Sequence, residues 1–444
     1  MTNVRPRRLT VATSVVVGVL VVAACGSSTL PQSALPPVSP APTSGSAADT
    51  VTTEIPTVFD VPGDSDIASG GDTGADTGSD ADAGSLDGSA GASDGSDGST
   101  GSDDEQGGSG ATDDAPIGLT AVGDWQDATA NLLGLPSTCG NLSYISADAA
   151  NGEVIAGVAS NGLWRLNDTD AWDPLGVAPG SAEINNRTSW IEYDPLVPER
   201  YWETGAYGQG VYRTDDGGVS FKQLGDIMNI DFISVDETDA LRKTMLAGVH
   251  EKRIVYRSVD GGVTWFDIAG DLPPGVGYTA FPLVIDATTH VLGTYRGEDA
   301  GIFRSEDGGL TWTTVHEGAV SGPPLVVGDT IYWLRPQGSG IVVSKDGGAT
   351  FTPAGGRIGG RPAMLVALPD GGLLAASEGT LAVSRDEGAS WRPFGPALPY
   401  EPNGLAFSEA RSAIYLWKFS CNFSGEGNPV PQGAIVRLDV TLDG

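Results

Sequence analysis

Two sets of residues in this chain are of types that could do chemistry. The first is five aspartates, Asp216, Asp260, Asp307, Asp346 and Asp386, which recur 39–47 residues apart. A ring of carboxylates is one way to hold a metal or ligand. Each, however, sits in the pattern S/T-x-D-x-G-x-S/T followed by an aromatic. Asp there can accept hydrogen bonds from nearby backbone N–H groups, and Gly tolerates positive φ. The pattern therefore reads as a structural turn. The second set is Arg187, Tyr207, His250, Glu251, Tyr295, Arg296, Glu298, Arg335 and Arg361, in segments between apolar runs. Guanidinium, phenol, imidazole and carboxylate together can bind a carbohydrate or a peptide. Glycoside hydrolysis would need two facing carboxylates about 5–10 Å apart, and Glu251, Glu298 and Asp299 offer them. The three histidines, His250, His290 and His316, have no metal-ligand spacing. No haem, nucleotide or zinc motif is present, so neither metal nor cofactor is expected.

The elements that must position these residues are strands. From residue 119 to 444 short apolar-alternating runs are separated by Gly, Pro, Asp and Asn, with no long 3.6-residue amphipathic pattern, which predicts an all-β fold. Five segments share one unit: VYRTDDGGVSF (211–221), VYRSVDGGVTW (255–265), IFRSEDGGLTW (302–312), IVVSKDGGATF (341–351) and LAVSRDEGASW (381–391). The unit resembles the Asp-box, or BNR, repeat of sialidases, sortilin-type receptors, xyloglucan hydrolases and a photosystem II assembly factor. The resemblance implies a β-propeller, with the boxes as structural hairpins between third and fourth strands, on the face away from the active site.

The aromatics give the blade count. Phe221, Trp265, Trp312, Phe351 and Trp391 end the five units, Trp172 ends a degenerate copy, and Trp125 opens a similar outer strand. At the C-terminus the run 434–440 matches the strand preceding each box but has no aromatic after it. The expectation is a seven-bladed propeller whose N-terminal strand pairs in the last blade and closes the ring. Its 326 residues average about 47 per blade, close to the ~40–50 expected for four strands. Closure also brings the regions of Cys139 and Cys421 together, which predicts a disulfide worth about 3–5 kcal/mol in the entropy model; the alternative is two buried thiols.

Function is then expected from the loops opposite the boxes. One reading is a binding or scaffold module for a protein, peptide or glycan of the cell envelope. The other is a sialidase-like or other glycoside hydrolase. A sialidase-like site would use an arginine triad, for which Arg296, Arg335 and Arg361 are candidates, with Tyr207 or Tyr295 as nucleophile. Against it, no Arg-Ile-Pro occurs in the chain, and sialidase propellers usually have six blades. The binding reading is preferred.

The N-terminus places the domain. Arg5, Arg7 and Arg8 precede an apolar run from Val11 to Ala24, shorter than the roughly 20 residues of a comfortable span. This has the form of a secretory signal over residues 1–24. The sequence Val22-Ala23-Ala24-Cys25-Gly26 resembles a bacterial lipobox, which implies that Cys25 becomes the lipid-modified mature N-terminus, anchored to the membrane on its extracytoplasmic face. Residues 25–118 follow as a Gly/Ser/Asp-rich tether expected to be disordered, with 17 acidic residues and no Lys or Arg between 26 and 118. The net charge of −33 divides into +3 for the signal, −17 for the tether and −19 for the propeller. Such an acidic domain does not suit nucleic acid. A monomer is expected.

Overall fold

The computed structural model describes residues 118–133, 135, 142–176, 180–279, 281–360, 364–418 and 434–443. The described residues all fall in one compact unit, within Glu105–Gly444. Cys25, the predicted Cys139–Cys421 bridge, Arg361, the signal and the tether lie outside the described residues.

Seven four-stranded antiparallel sheets form the blades. Blades 1 to 3 are Leu142–Ala147, Val154–Val158, Leu163–Leu166, Trp172–Pro174; Arg187–Tyr193, Tyr201–Ala206, Val211–Thr214, Lys222–Gln223; and Ile230–Val235, Met245–Val249, Val255–Ser258, Phe266–Asp267. Blade 4 is Phe281–Val284, His290–Gly293, Gly301–Ser305, Thr313–Glu317, with a two-stranded ribbon, Val276–Tyr278 and Arg296–Gly297, beside it. Blades 5 and 6 are Ser321–Val327, Thr330–Leu334, Ile341–Ser344, Thr352–Pro353; and Leu365–Ala367, Leu373–Ser377, Thr380–Ser384, Arg392–Phe394. Blade 7 takes Gly404–Ser408, Ala413–Lys418 and Ala434–Asp443 from the C-terminal end and Gly118–Asp127 from the other. The first strands of successive blades touch one another around a closed circle, blade 7 meeting blade 1. They line a central channel.

Burial follows strand order. The second strands are the most buried, four of them, such as Met245–Val249, wholly so, while outer strands such as Lys222–Gln223 are exposed. The apolar and small residues of the second strands allow close sheet-on-sheet contact. A Cβ on Gly293 would lie 2.2 Å from the Trp333 ring of blade 5.

The five aspartates are consumed by their own hairpins. Asp307 accepts from Ser305 Oγ at 2.8 Å, Thr311 N–H at 2.9 Å and Thr311 Oγ1 at 2.7 Å, and the other four repeat this set. These bonds, first among them the hydroxyl of the following Ser or Thr, hold the carboxyls of all five below their ordinary range. The second glycine of each turn is required twice over. Gly309 has φ +87, and a Cβ there would lie 2.4 Å from Ile268 of blade 3. The aromatic then grips the preceding blade: Trp312 Nε1 donates to Ile268 O at 3.0 Å. In the degenerate copy Asn167 replaces the aspartate, and Trp172 Nε1 donates to Ala128 O of blade 7 at 2.9 Å. The same contact that joins blades 3 and 4 thus joins blades 7 and 1.

Trp125 does not open its strand but lies well inside Gly118–Asp127. Past a register shift, Gln126 and Asp127 pair with Arg437 and Val436 as a normal short outer strand would. The preceding residues pair onward, Gly118 with Asp443 through Val122 with Asp439. Blade 7 has no hairpin joining its third and fourth strands, so both chain ends continue the ladder where the other blades turn.

Blades 2 and 3 are further tied by a buried ion pair. Arg242 donates to Asp194 from Nε at 3.1 Å and Nη2 at 2.8 Å, and Arg200 adds a third bond at 3.3 Å. Burial alone would raise the Asp194 carboxyl; the hydrogen bonds and charges of Arg242 and Arg200, with the Leu196 N–H, outweigh it and leave the group below its ordinary value.

Candidate functional site

At the channel end opposite the Asp hairpins, residues of three consecutive blades meet. Arg187 starts the first strand of blade 2, and Tyr207 follows its second strand. The guanidinium carbon of Arg187 lies 5.0 Å from the Tyr207 ring centroid, within cation–π range. On its other side Tyr207 meets His250 of blade 3, ring centroids 5.1 Å apart and edge to face. His250 Nε2 is 3.2 Å from the Tyr207 hydroxyl, and His250 Nδ1 is 2.8 Å from Asp231 Oδ1. His250 thus bridges the Asp231 carboxyl and the Tyr207 phenol, one ring nitrogen to each.

The backbone under this cluster is held in an uncommon conformation. Tyr207, Asn229 and Glu251 have φ of +59, +56 and +51. For a bulky residue such as tyrosine this costs about 1–2 kcal/mol, and it persists where surrounding bonds over-determine it. Those bonds run through Asn229: its Oδ1 accepts from Tyr207 N–H at 2.7 Å, its N–H donates to Gly208 O at 3.1 Å, and its carbonyl accepts from His250 N–H at 2.7 Å. Beneath the loop Asn186 Nδ2 donates to Gln209 O at 2.9 Å and to the buried Glu203 at 3.3 Å. Burial pushes the Glu203 carboxyl up to about 8, against the hydrogen bonds of Thr188 and Asn186. The result is a tyrosine side chain 62% exposed on a fixed support.

The second lobe belongs to blade 4. The Arg296 guanidinium carbon lies 5.4 Å from the Tyr278 ring and 5.9 Å from Tyr295, whose two rings meet edge to face at 5.2 Å. Burial raises the Tyr295 phenol, and the charges of Asp231 and Glu251 raise it further against the pull of Arg296. Tyr295, in the second lobe, therefore also feels the charges of the first. Aromatic contacts continue from it into the channel: Tyr295 to Phe281 at 5.6 Å, Phe281 to Phe232 at 5.1 Å, Phe232 to Trp190 at 5.5 Å, Trp190 to Tyr144 at 5.8 Å, and Tyr144 to Trp417 at 5.4 Å. A cavity of about 190 Å³ at this end is lined by Arg187, Trp190, Phe232, Asn403 and Trp417 among others.

The structure thus brings together Arg187, Tyr207, His250, Glu251, Tyr295 and Arg296. Glu298 is exposed on the blade 4 loop, and its neighbour Asp299 is used as a strap, accepting from Gly275 N–H at 3.0 Å. Arg335 does not join Arg296. It donates to Ser339 O at 3.4 Å and lines a separate cleft with Pro353, Gly355 and Arg357 at the outer part of blade 5. Sequence reasoning missed Asp231, Asn229 and Tyr278. Asp231 had a signal, a carboxylate inside an apolar first strand. Asn229 and Tyr278 had none beyond their residue types.

A seven-bladed propeller with one aromatic, arginine-bearing face is the class that fold and site define. Solved structures with this fold include a GH74 enzyme of Niastella koreensis, 13% identical with a TM-score of 0.50, covering 66% of this chain and 52% of that one. A GH74 xyloglucanase of Xanthomonas campestris is 17% identical, TM-score 0.49, covering 72% and 56%. YCF48 bound to D1 peptide is 14% identical, TM-score 0.42, covering 70% and 100%. The chain spans about half the length of the two GH74 proteins. At such identities the likeness is one of fold. No protein-family model and no curated protein sequence matches the chain.

Proposed function

We propose that the chain is a cell-surface lipoprotein whose propeller, of the Asp-box type, binds a protein, peptide or glycan ligand of the cell envelope. Cys25 carries the lipid, residues 25–118 supply reach, and residues 119–444 bind as a monomer. The observation that carries the binding reading is Tyr207, exposed and strained between Arg187 and His250. A rigid aromatic with an adjacent guanidinium offers a stacking surface and a carboxylate partner at low ordering cost. Arg296 with Tyr278 and Tyr295 repeats the arrangement. The test is retention of isolated envelope polysaccharide and of envelope-derived peptides by the purified chain. Tyr207→Ala and Arg296→Ala should each weaken retention about tenfold; unchanged retention in both sinks the reading.

A hydrolase is the second reading, favoured by one observation. Asp231, His250 and Tyr207 form a chain in which a carboxylate orients a base that reaches a phenol, the arrangement by which nucleophiles are activated. Turnover of a fluorogenic sialoside or other glycoside, lost in His250→Ala, would establish it. Absence of turnover across such a panel leaves the binding module.

A further inference from the structure

The other half of the channel, toward the Asp hairpins, opens into a second cavity of about 730 Å³. Its lining combines two glutamates, an apolar wall and a charged rim of Asp329, Lys345 and Asp346 from blade 5. Glu192 of blade 2 and Glu237 of blade 3 stand on one side, close enough to repel each other. Leu283, Leu325 and Met364, from blades 4, 5 and 6, supply apolar wall. Trp190 and Phe232 lie between the two halves of the channel and line both cavities. Glu192 receives one hydrogen bond, from Trp190 Nε1 at 2.7 Å. Among the described residues neither Glu192 nor Glu237 has a basic partner in an ion pair. Arg242, near Glu237, is committed to Asp194, and Lys345 at the cavity edge pairs with Glu387 at 2.6 Å.

We propose that this cavity binds an amphipathic organic cation, a primary ammonium on an alkyl stem. The ammonium would sit between Glu192 and Glu237, and the stem against Leu283, Leu325 and Met364. An ammonium has three donors for the two carboxyl groups, and the stem removes apolar wall from water. The site is independent of the Tyr207 face and stands or falls separately from the function proposed there.

Protonation supplies a readout. Burial pushes the Glu192 carboxyl up to about 8, against the pull of Trp190's N–H, and Glu237 adds to the rise. Glu237 is exposed at the cavity rim; partial desolvation raises its carboxyl, with Arg242 opposing and Asp194 adding. The other titratable groups facing this region are Tyr144, on blade 1 and coupled to Glu192, and Asp329, Lys345 and Asp346 on blade 5. With its carboxyl at about 8, Glu192 is mostly protonated at pH 7, and a cation binding beside it would ionise it and expel most of a proton.

The experiment is titration calorimetry of the full chain at pH 7 with hexylammonium chloride, and separately with sodium hexanoate, in two buffers of different ionisation enthalpy. Hexylammonium should bind and release a proton, and hexanoate should bind at least tenfold more weakly. Glu192→Gln should abolish the proton release and weaken hexylammonium at least tenfold. Glu237→Gln should weaken it several-fold while keeping the release, and decides the matter if Glu192→Gln does not fold. Absence of hexylammonium binding, equal binding of hexanoate, or unchanged affinity in the folded variants would overturn the proposal.

Discussion

Asp194→Ala should be among the most damaging single substitutions in the propeller. The Asp194 side chain is 0% exposed and that of Arg242 3%. Removing the carboxylate takes two bonds from Arg242 and one from Arg200, and leaves the Leu196 N–H without its acceptor. An uncompensated buried charge costs about 3–5 kcal/mol. Arg242 keeps two carbonyl acceptors, Glu237 O at 2.8 Å and Asp239 O at 2.7 Å, which puts the expectation near the low end, about 3 kcal/mol. Removing the orphan as well, in Asp194→Ala with Arg242→Met, should restore about 1–2 kcal/mol of that loss. The sign with pH is set by the depressed Asp194 carboxyl. Its contribution is fully present above the unfolded value of about 3.9 and is lost as pH falls through the lower folded value. Urea unfolding followed by tryptophan fluorescence at pH 7 and at pH 3 reads both effects. A cost under about 1 kcal/mol at pH 7, or a wild-type advantage that does not shrink at pH 3, would refute the reasoning.

Three further outcomes follow from local geometry. Glu387 has φ +54 at a turn position where Gly217, Gly261, Gly308 and Gly347 occupy the other hairpins; Glu387→Gly should stabilise by about 0.5–1 kcal/mol after loss of its exposed Lys345 pair, read from the urea midpoint. Tyr207→Gly should be more stable than Tyr207→Ala by about 1 kcal/mol, the reverse of the usual order, because only glycine relieves the positive φ. Asp346→Ala removes three hydrogen bonds from its hairpin and should lower the melting temperature. Because the turn holds that carboxyl down at about 2, the variant's deficit should be full above pH ~4 and shrink as pH falls toward 2.

Most of the fold was legible because it is periodic. The box, its aromatic and the strand before it recur in one order, so one hairpin explains five, and the unpaired strands at the two ends predict each other's partner. The register inside blade 7 was not legible, because the missing hairpin lets pairing run on to Gly118 and Asp443. The site was legible by residue type and loop position but not by grouping. Arg296 and Arg335 occupy equivalent loops of adjacent blades, yet one turns onto Tyr278 and Tyr295 and the other toward the outer strand. Asn229 became important only because its side chain meets a loop from the neighbouring blade.

If the propeller binds as proposed, the face built by Arg187, Tyr207, His250 and Arg296 holds the ligand. The most direct measurement is hydrogen exchange of the purified chain with and without isolated envelope polysaccharide or envelope-derived peptides, repeated for Tyr207→Ala. Protection on binding should be confined to the loops around residues 206–209, 250–253 and 295–299 and be abolished in the variant. Protection centred on the Asp hairpins, or the same protection in Tyr207→Ala, would contradict the proposal.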